Sequence, residues 1–231
     1  MTSTGLRAPR DLRVVAVDIG SVRTGSFAWA AVDVPGDTGP LPEALAGYGS
    51  DPATAVEAVA EALGSGGRAV LALEAPMAVP VPGDWALLGK GRAGEGNRPW
   101  SASAGARALG TGLVQGAWML AELGRRVSGL SVTTQVPRWR RGAARLLLVE
   151  AFVSGAGKPV ATVLGQHAAD AEAAARVVAE RLVSGGATDV VCAPQRAFNL
   201  LAAQAMWAGL DIRDDELALD VLVVRARPVV R

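Results

Sequence analysis

Three apolar runs in this chain each close on a carboxylate: VVAVD at Asp18, VLALE at Glu74 and LLLVE at Glu150. Runs that are apolar at consecutive positions, rich in Val and Leu, read as strands buried on both faces. Two such runs alternate with helical patterns along the chain. That order calls for an α/β fold, a mixed central sheet with helices packed on it.

The remaining elements fit that frame. LRVVAVDIG (12–20) and SFAWAAVDV (26–34), joined by a short Gly-containing turn, read as an antiparallel hairpin. Residues 35–50 read as a Pro- and Gly-rich loop with room for a short third strand. Apolar spacing predicts a helix over 53–67, with Asp51-Pro52 as its start and Gly64 as its stop. A strand follows over 68–76, then a long loop over 77–104, then a second helix over 105–127. The third carboxylate run lies in a strand over 144–155. The strongest helical pattern covers 165–186 and ends on Gly185-Gly186. Strand, helix and strand are expected at 187–194, 196–210 and 217–228. The reading is of a flexible N-terminus (1–11) and a single domain over 12–231, with a core over 12–186 and a C-terminal extension over 187–231.

Composition narrows the function classes. Half of the 231 residues are hydrophobic and 19% are charged, enough for a sizeable core and against global disorder. The net charge is only +1, so nucleic acid would have to be held by local patches rather than bulk charge. A single cysteine, Cys192, rules out an internal disulfide framework, and no Cys/His spacing suggests zinc. Neither a signal core nor an apolar run of roughly 18 residues is present, so the expectation is a cytoplasmic protein with no membrane partner.

The acids carry the chemistry. Asp18, Glu74 and Glu150 sit at strand ends, and Asp170 lies in the helix HAADAEAAA. A lone strand-end acid is more often a turn or cap residue than a ligand. Four in matching contexts point instead to a cluster, because a near-buried carboxylate needs a cation. If the strands are neighbours their acids converge at one sheet edge, with Asp170 reaching in from the helix. Such a cluster suits two divalent ions that clamp the attacking and leaving oxygens in phosphodiester cleavage. Oxygen donors favour Mg²⁺ or Mn²⁺ over zinc. His167 lies one helical turn before Asp170 and can serve in proton transfer, while Glu172 competes with Asp170 from a different face.

VDIGSVRTGSFAWA resembles the opening D-x-G-x-x-R-x-G hairpin of YqgF-type and RuvC-like members of the ribonuclease H-like superfamily. HAADAEAAA is similar to the H-x-x-D-A-x-x-A helix that closes RuvC-like active sites. LALEAP resembles the middle-strand acid, and VEAFVSG the additional glutamate strand of uncharacterised predicted nucleases of that superfamily. The resemblance spans about residues 12–185. It implies a ribonuclease H-like fold and nuclease activity, with Asp18, Glu74 and Asp170 as metal ligands, His167 as an accessory group and Glu150 as a further catalytic acid. The 77–104 loop and the C-terminal β-α-β extension are not features of a minimal resolvase.

Two basic stretches with tryptophan suit a phosphate backbone: 89–100, with Lys90, Arg92, Arg98 and Trp100, and 137–145, with Arg138, Arg140, Arg141, Arg145 and Trp139. Each equally fits a solvated loop. The leading expectation is a metal-dependent nuclease acting on DNA or RNA, as a homodimer or with a partner protein. The alternatives are a non-catalytic scaffold of the same fold and an actin-like ATPase, which normally needs a longer, two-domain chain.

Overall fold

Val, Leu and Ala fill both faces of three neighbouring strands, which explains why the carboxylate runs do not alternate. A computed structural model describes residues 12–35, 41–96, 99–153 and 157–226. The expectations for residues 1–11 and for Arg98 lie outside them. Strands Leu12–Asp18 (β1) and Ala28–Val34 (β2) form the antiparallel hairpin, and Gly47–Gly49 (β3) pairs with β2. Arg68–Leu73 (β4) runs parallel to β1, and Leu146–Phe152 (β7) runs parallel to β4. Val132–Thr133 (β6) and Val223–Arg225 (β9) share the outer edge of β7, one at each end. The result is a mixed seven-stranded sheet in the order β3-β2-β1-β4-β7, with β6 and β9 beyond. A second, two-stranded antiparallel sheet pairs Ala78–Val81 (β5) with Arg196–Asn199 (β8).

Helices cover both faces. Pro52–Gly64 (α1), Ser103–Arg126 (α2) and Leu200–Trp207 (α5) lie over the face of Val15, Val17, Leu71, Leu73 and Leu148. Gln166–Ser184 (α4) and the short helix Val136–Arg140 (α3) cover the face of Val14, Ala16, Ala72, Leu147 and Val149. Asp51 caps α1 by accepting from the Ala53 amide, with Pro52 at the first turn as the sequence predicts. Gly185, in the left-handed region at φ 72°, ends α4 where its sequence signal stood. Alanines on the buried side of α4 (Ala171, Ala174, Ala175, Ala179) bring it down close to the strands. At Gly116 a Cβ would sit 2.7 Å from Gln204 and 3.0 Å from Leu73, so glycine lets α2 press onto the end of β4. No helix among the described residues is long and apolar enough to cross a membrane.

The C-terminal extension departs from expectation. Residues 187–194 form only an isolated bridge, Ala93 with Val191, because side chains compete for the backbone there: Thr188 donates to the Val190 carbonyl and Asp220 accepts from the Cys192 amide. Residues 196–199 are strand rather than helix, since β5 offers them an open edge. The long loop 77–104 contains β5 and a 3₁₀ turn at Trp85–Leu87.

Candidate functional site

Strand parity decides which acids meet. β1 and β4 pair in register with Val17 beside Leu73, and the Glu74 amide donates to the Val17 carbonyl at 2.8 Å. Asp18 and Glu74 therefore sit side by side at the carboxyl ends of adjacent parallel strands and point to the face covered by α4. Asp170, in the second turn of α4, descends onto the same spot. The three carboxylates line one pocket of about 170 Å³, together with His167, Lys158, Phe152, Val153 and Ala104, Gly105 and Ala108 of the first turns of α2. Ser103, which opens α2 beside this pocket, holds a left-handed φ of 48°, unusual for a residue with a side chain.

Each acid has a different set of partners. Asp18 Oδ2 accepts from His167 Nδ1 at 2.7 Å. Asp170 accepts from Gln166 Nε2 at Oδ1, 2.7 Å, and from the Lys158 ammonium at Oδ2, 2.9 Å. Glu74 Oε1 accepts from the Val153 amide at 3.1 Å, while its Oε2 is buried with no hydrogen-bond partner. A buried carboxylate oxygen left alone is costly, and it marks the place where a cation or donor is wanted.

The electrostatics say the same. Burial, reinforced by Asp170 and offset by His167 and Lys158, pushes the Asp18 carboxyl up to about 6. Burial and the neighbouring charges of Asp18 and Asp170 push Glu74 well above the usual carboxylate range. Three acids with one ammonium between them are short of positive charge. As they stand, no group of three His, Cys, Asp or Glu side chains among the described residues is placed so that it could hold a metal ion. Lys158 and His167 hold two of the three carboxylates by direct contact.

Glu150 does not join them, and the expectation that it belongs to this site is corrected. It pairs with Leu73 in the β4–β7 register, so it points to the opposite face from Asp18 and Glu74. There it is fully buried and bound by Arg92 at 2.6 and 2.8 Å and by the Met77 amide at 2.9 Å. Arg92 also grips Glu95 at 3.0 Å and the Ala78 carbonyl at 2.9 Å. Burial works against the charge of Arg92, but Glu150 and Glu95 more than restore it and raise its affinity for the proton. This guanidinium is a core group and cannot reach nucleic acid. The competitor on α4 is also settled, because Glu172 is ion-paired to Arg176 at 2.9 Å, away from the pocket.

The second basic stretch lies at the wrong edge. α3 immediately precedes β7, and Arg68 at the start of β4 stacks on Trp139 at 4.3 Å. The carboxylates stand at the other ends of these strands, roughly 20 Å away for strands of this length. Trp139 is 2% exposed and is core, not a stacking platform. Arg138 lies 3.3 Å from Glu216, Arg140 donates to the Leu182 carbonyl at 2.6 Å, and Arg141 is exposed. Lys90 is exposed. Lys158, in the connection between β7 and α4, is the pocket residue that sequence reasoning passed over, since no pattern in GAGKPVATV distinguishes it from a loop lysine.

No protein-family model matches the chain, and neither a curated protein nor a solved structure matches it.

Proposed function

We propose that this chain is a ribonuclease H-like, metal-dependent nuclease whose site is built on Asp18, Glu74 and Asp170. The observation that carries this reading is the meeting of those three carboxylates in one small pocket, with a buried Glu74 oxygen that has no partner. The donor set fits Mg²⁺ or Mn²⁺: all oxygen and anionic, with Asp18 and Glu74 raised in proton affinity first by burial and then by neighbouring carboxylate charge, which a divalent ion offsets. When bound, such ions neutralise charge on a phosphoryl group and make water more acidic.

The protein groups do the rest. Asp18, Glu74 and Asp170 hold the cations. His167, about half exposed and fixed through Nδ1 on Asp18, presents Nε2 at the rim to take a proton from the attacking water or give one to the leaving oxygen. The first turn of α2 has no side-chain cap, and its residues Ala104 and Gly105 line the pocket. The positive end of a 24-residue helix so placed attracts phosphate oxygens. Arg107, exposed near the start of α2, supplies a cation for the flanking backbone.

The test is incubation with labelled single-stranded, double-stranded and branched DNA and RNA, in Mg²⁺, Mn²⁺ or chelator. At least one substrate should be cut in metal and none in chelator. With few cations near the pocket, log affinity for duplex DNA should fall against log salt with a shallow slope of about −2 to −3. Changing Arg138, Arg140 and Arg141 together to Ala should leave that slope unchanged. Failure to cut any member of the panel in either metal would overturn the proposal.

A further inference from the structure

Lys158 reaches into the acidic pocket from residues 157–165, and the way this segment is held differs from the rest of the pocket wall. Its ammonium sits 2.9 Å from Asp170 Oδ2 and is attracted by Glu74 and Asp18 as well. Gln166 ties the same segment to α4 by donating to the Pro159 carbonyl at 3.1 Å and to Asp170 Oδ1 at 2.7 Å. Both oxygens of Asp170 are thus occupied by this segment and the residue that anchors it.

Among the described residues the segment has little else to hold it. Val160 is 90% exposed, Val163 is fully exposed and Leu164 is half exposed, so its apolar side chains are not packed on the core. Thr162 bonds within the segment, to the Leu164 and Gly165 amides. Lys158 itself is 47% exposed. Lys158 is the half-exposed end of the pair and Asp170 the buried one, so the ammonium can return to water at little cost only when another cation takes its place on Asp170. Moving three solvated apolar residues with it exposes almost no new surface.

We propose that Lys158 is the built-in counter-cation of the pocket, which a divalent ion must displace from Asp170. Lys158 balances the acids when no metal is present and competes with metal for the same oxygen. Loading the pocket swings the segment 157–165 outward and leaves an ammonium at the rim. The inference rests on the reading of the pocket as a divalent-cation site.

The test is the affinity for Mn²⁺, measured by calorimetry on the full chain for wild type, Lys158→Met, Lys158→Gln and Lys158→Arg. Removing the competing charge in the Met and Gln variants should tighten Mn²⁺ binding on the order of tenfold, while the Arg variant stays close to wild type. Melting curves in chelator establish that each variant is folded, as the exposure of Lys158 leads one to expect. Equal or weaker binding by both neutral variants, with wild type binding Mn²⁺, overturns the counter-cation role and leaves the metal site standing. If no folded variant binds Mn²⁺, the metal reading falls and the counter-cation role with it.

Discussion

Asp18→Asn should lower metal-dependent cleavage by about a thousandfold, the equivalent of about 4 kcal/mol in the barrier, while leaving a folded protein. The amide keeps the shape of the side chain and removes the charge that the cation needs. In chelator the same change should stabilise the protein near pH 7.5, which is unusual for a buried substitution. The sign follows from the direction of the shift. The Asp18 carboxyl is raised in the folded state from its ordinary 3.8 to about 6, chiefly by burial. Its favourable, protonated contribution is present below pH 3.8 and is lost as pH rises through about 6. Wild type carries that penalty at pH 7.5, and Asp18→Asn does not. The shift corresponds to about 3 kcal/mol at most, reduced by the lost bond to His167, and each kcal/mol moves the melting temperature by roughly 2–4 °C. Melting curves in chelator at pH 4 and pH 7.5 should show the variant gaining on wild type at the higher pH. A variant that loses ground instead would mean that Lys158 and His167 already compensate Asp18 in full.

Arg92→Leu should be the most damaging single change to stability outside the pocket. It strips the counter-charge from Glu150 and Glu95, whose side chains are completely buried. Removing one partner of a buried ion pair costs about 3–5 kcal/mol because the other charge stays behind. For a chain of this length that is roughly 6–20 °C in melting temperature. Lys at this position should not rescue, since one ammonium cannot replace a planar fork that serves two carboxylates and the Ala78 carbonyl. Lower pH should recover part of the loss by protonating the stranded acids. Phe152 lies 5.7 Å below Arg92 and also lines the acidic pocket, so surviving Arg92→Leu protein should have a looser site. An Arg92→Leu protein as stable as wild type at pH 7.5 would contradict this account of the buried triad.

The strands and the site were legible in the sequence to different depths. β1, β4 and β7 announce themselves because both faces are covered, and α4 because its C-terminal glycine and small-residue face are local signals. Asp18, Glu74 and Asp170 were legible because each sits where an apolar element ends or faces the core. Glu150 carried the same local signature and was misplaced by parity. Only the β4–β7 register, which pairs it with Leu73, sends it to the other face. Arg92 read as a loop cation because, of the two acids that bury it, only Glu95 is a near neighbour in sequence. The other, Glu150, is 58 residues away. The segment at 187–194 has strand composition, but aspartate and threonine side chains compete for its hydrogen bonds, and composition does not report that competition.

The most direct test of the central claim is a Mn²⁺ titration at pH 7.5 of wild type beside Asp18→Asn, Glu74→Gln and Asp170→Asn. Glu172→Gln serves as the control, since that acid is on α4 but is paired to Arg176 away from the pocket. The account predicts saturable binding by wild type and by the control, and binding weakened at least about tenfold by each of the other three, as expected for loss of a direct ligand. Equal binding by all five proteins, or none by wild type, would contradict it.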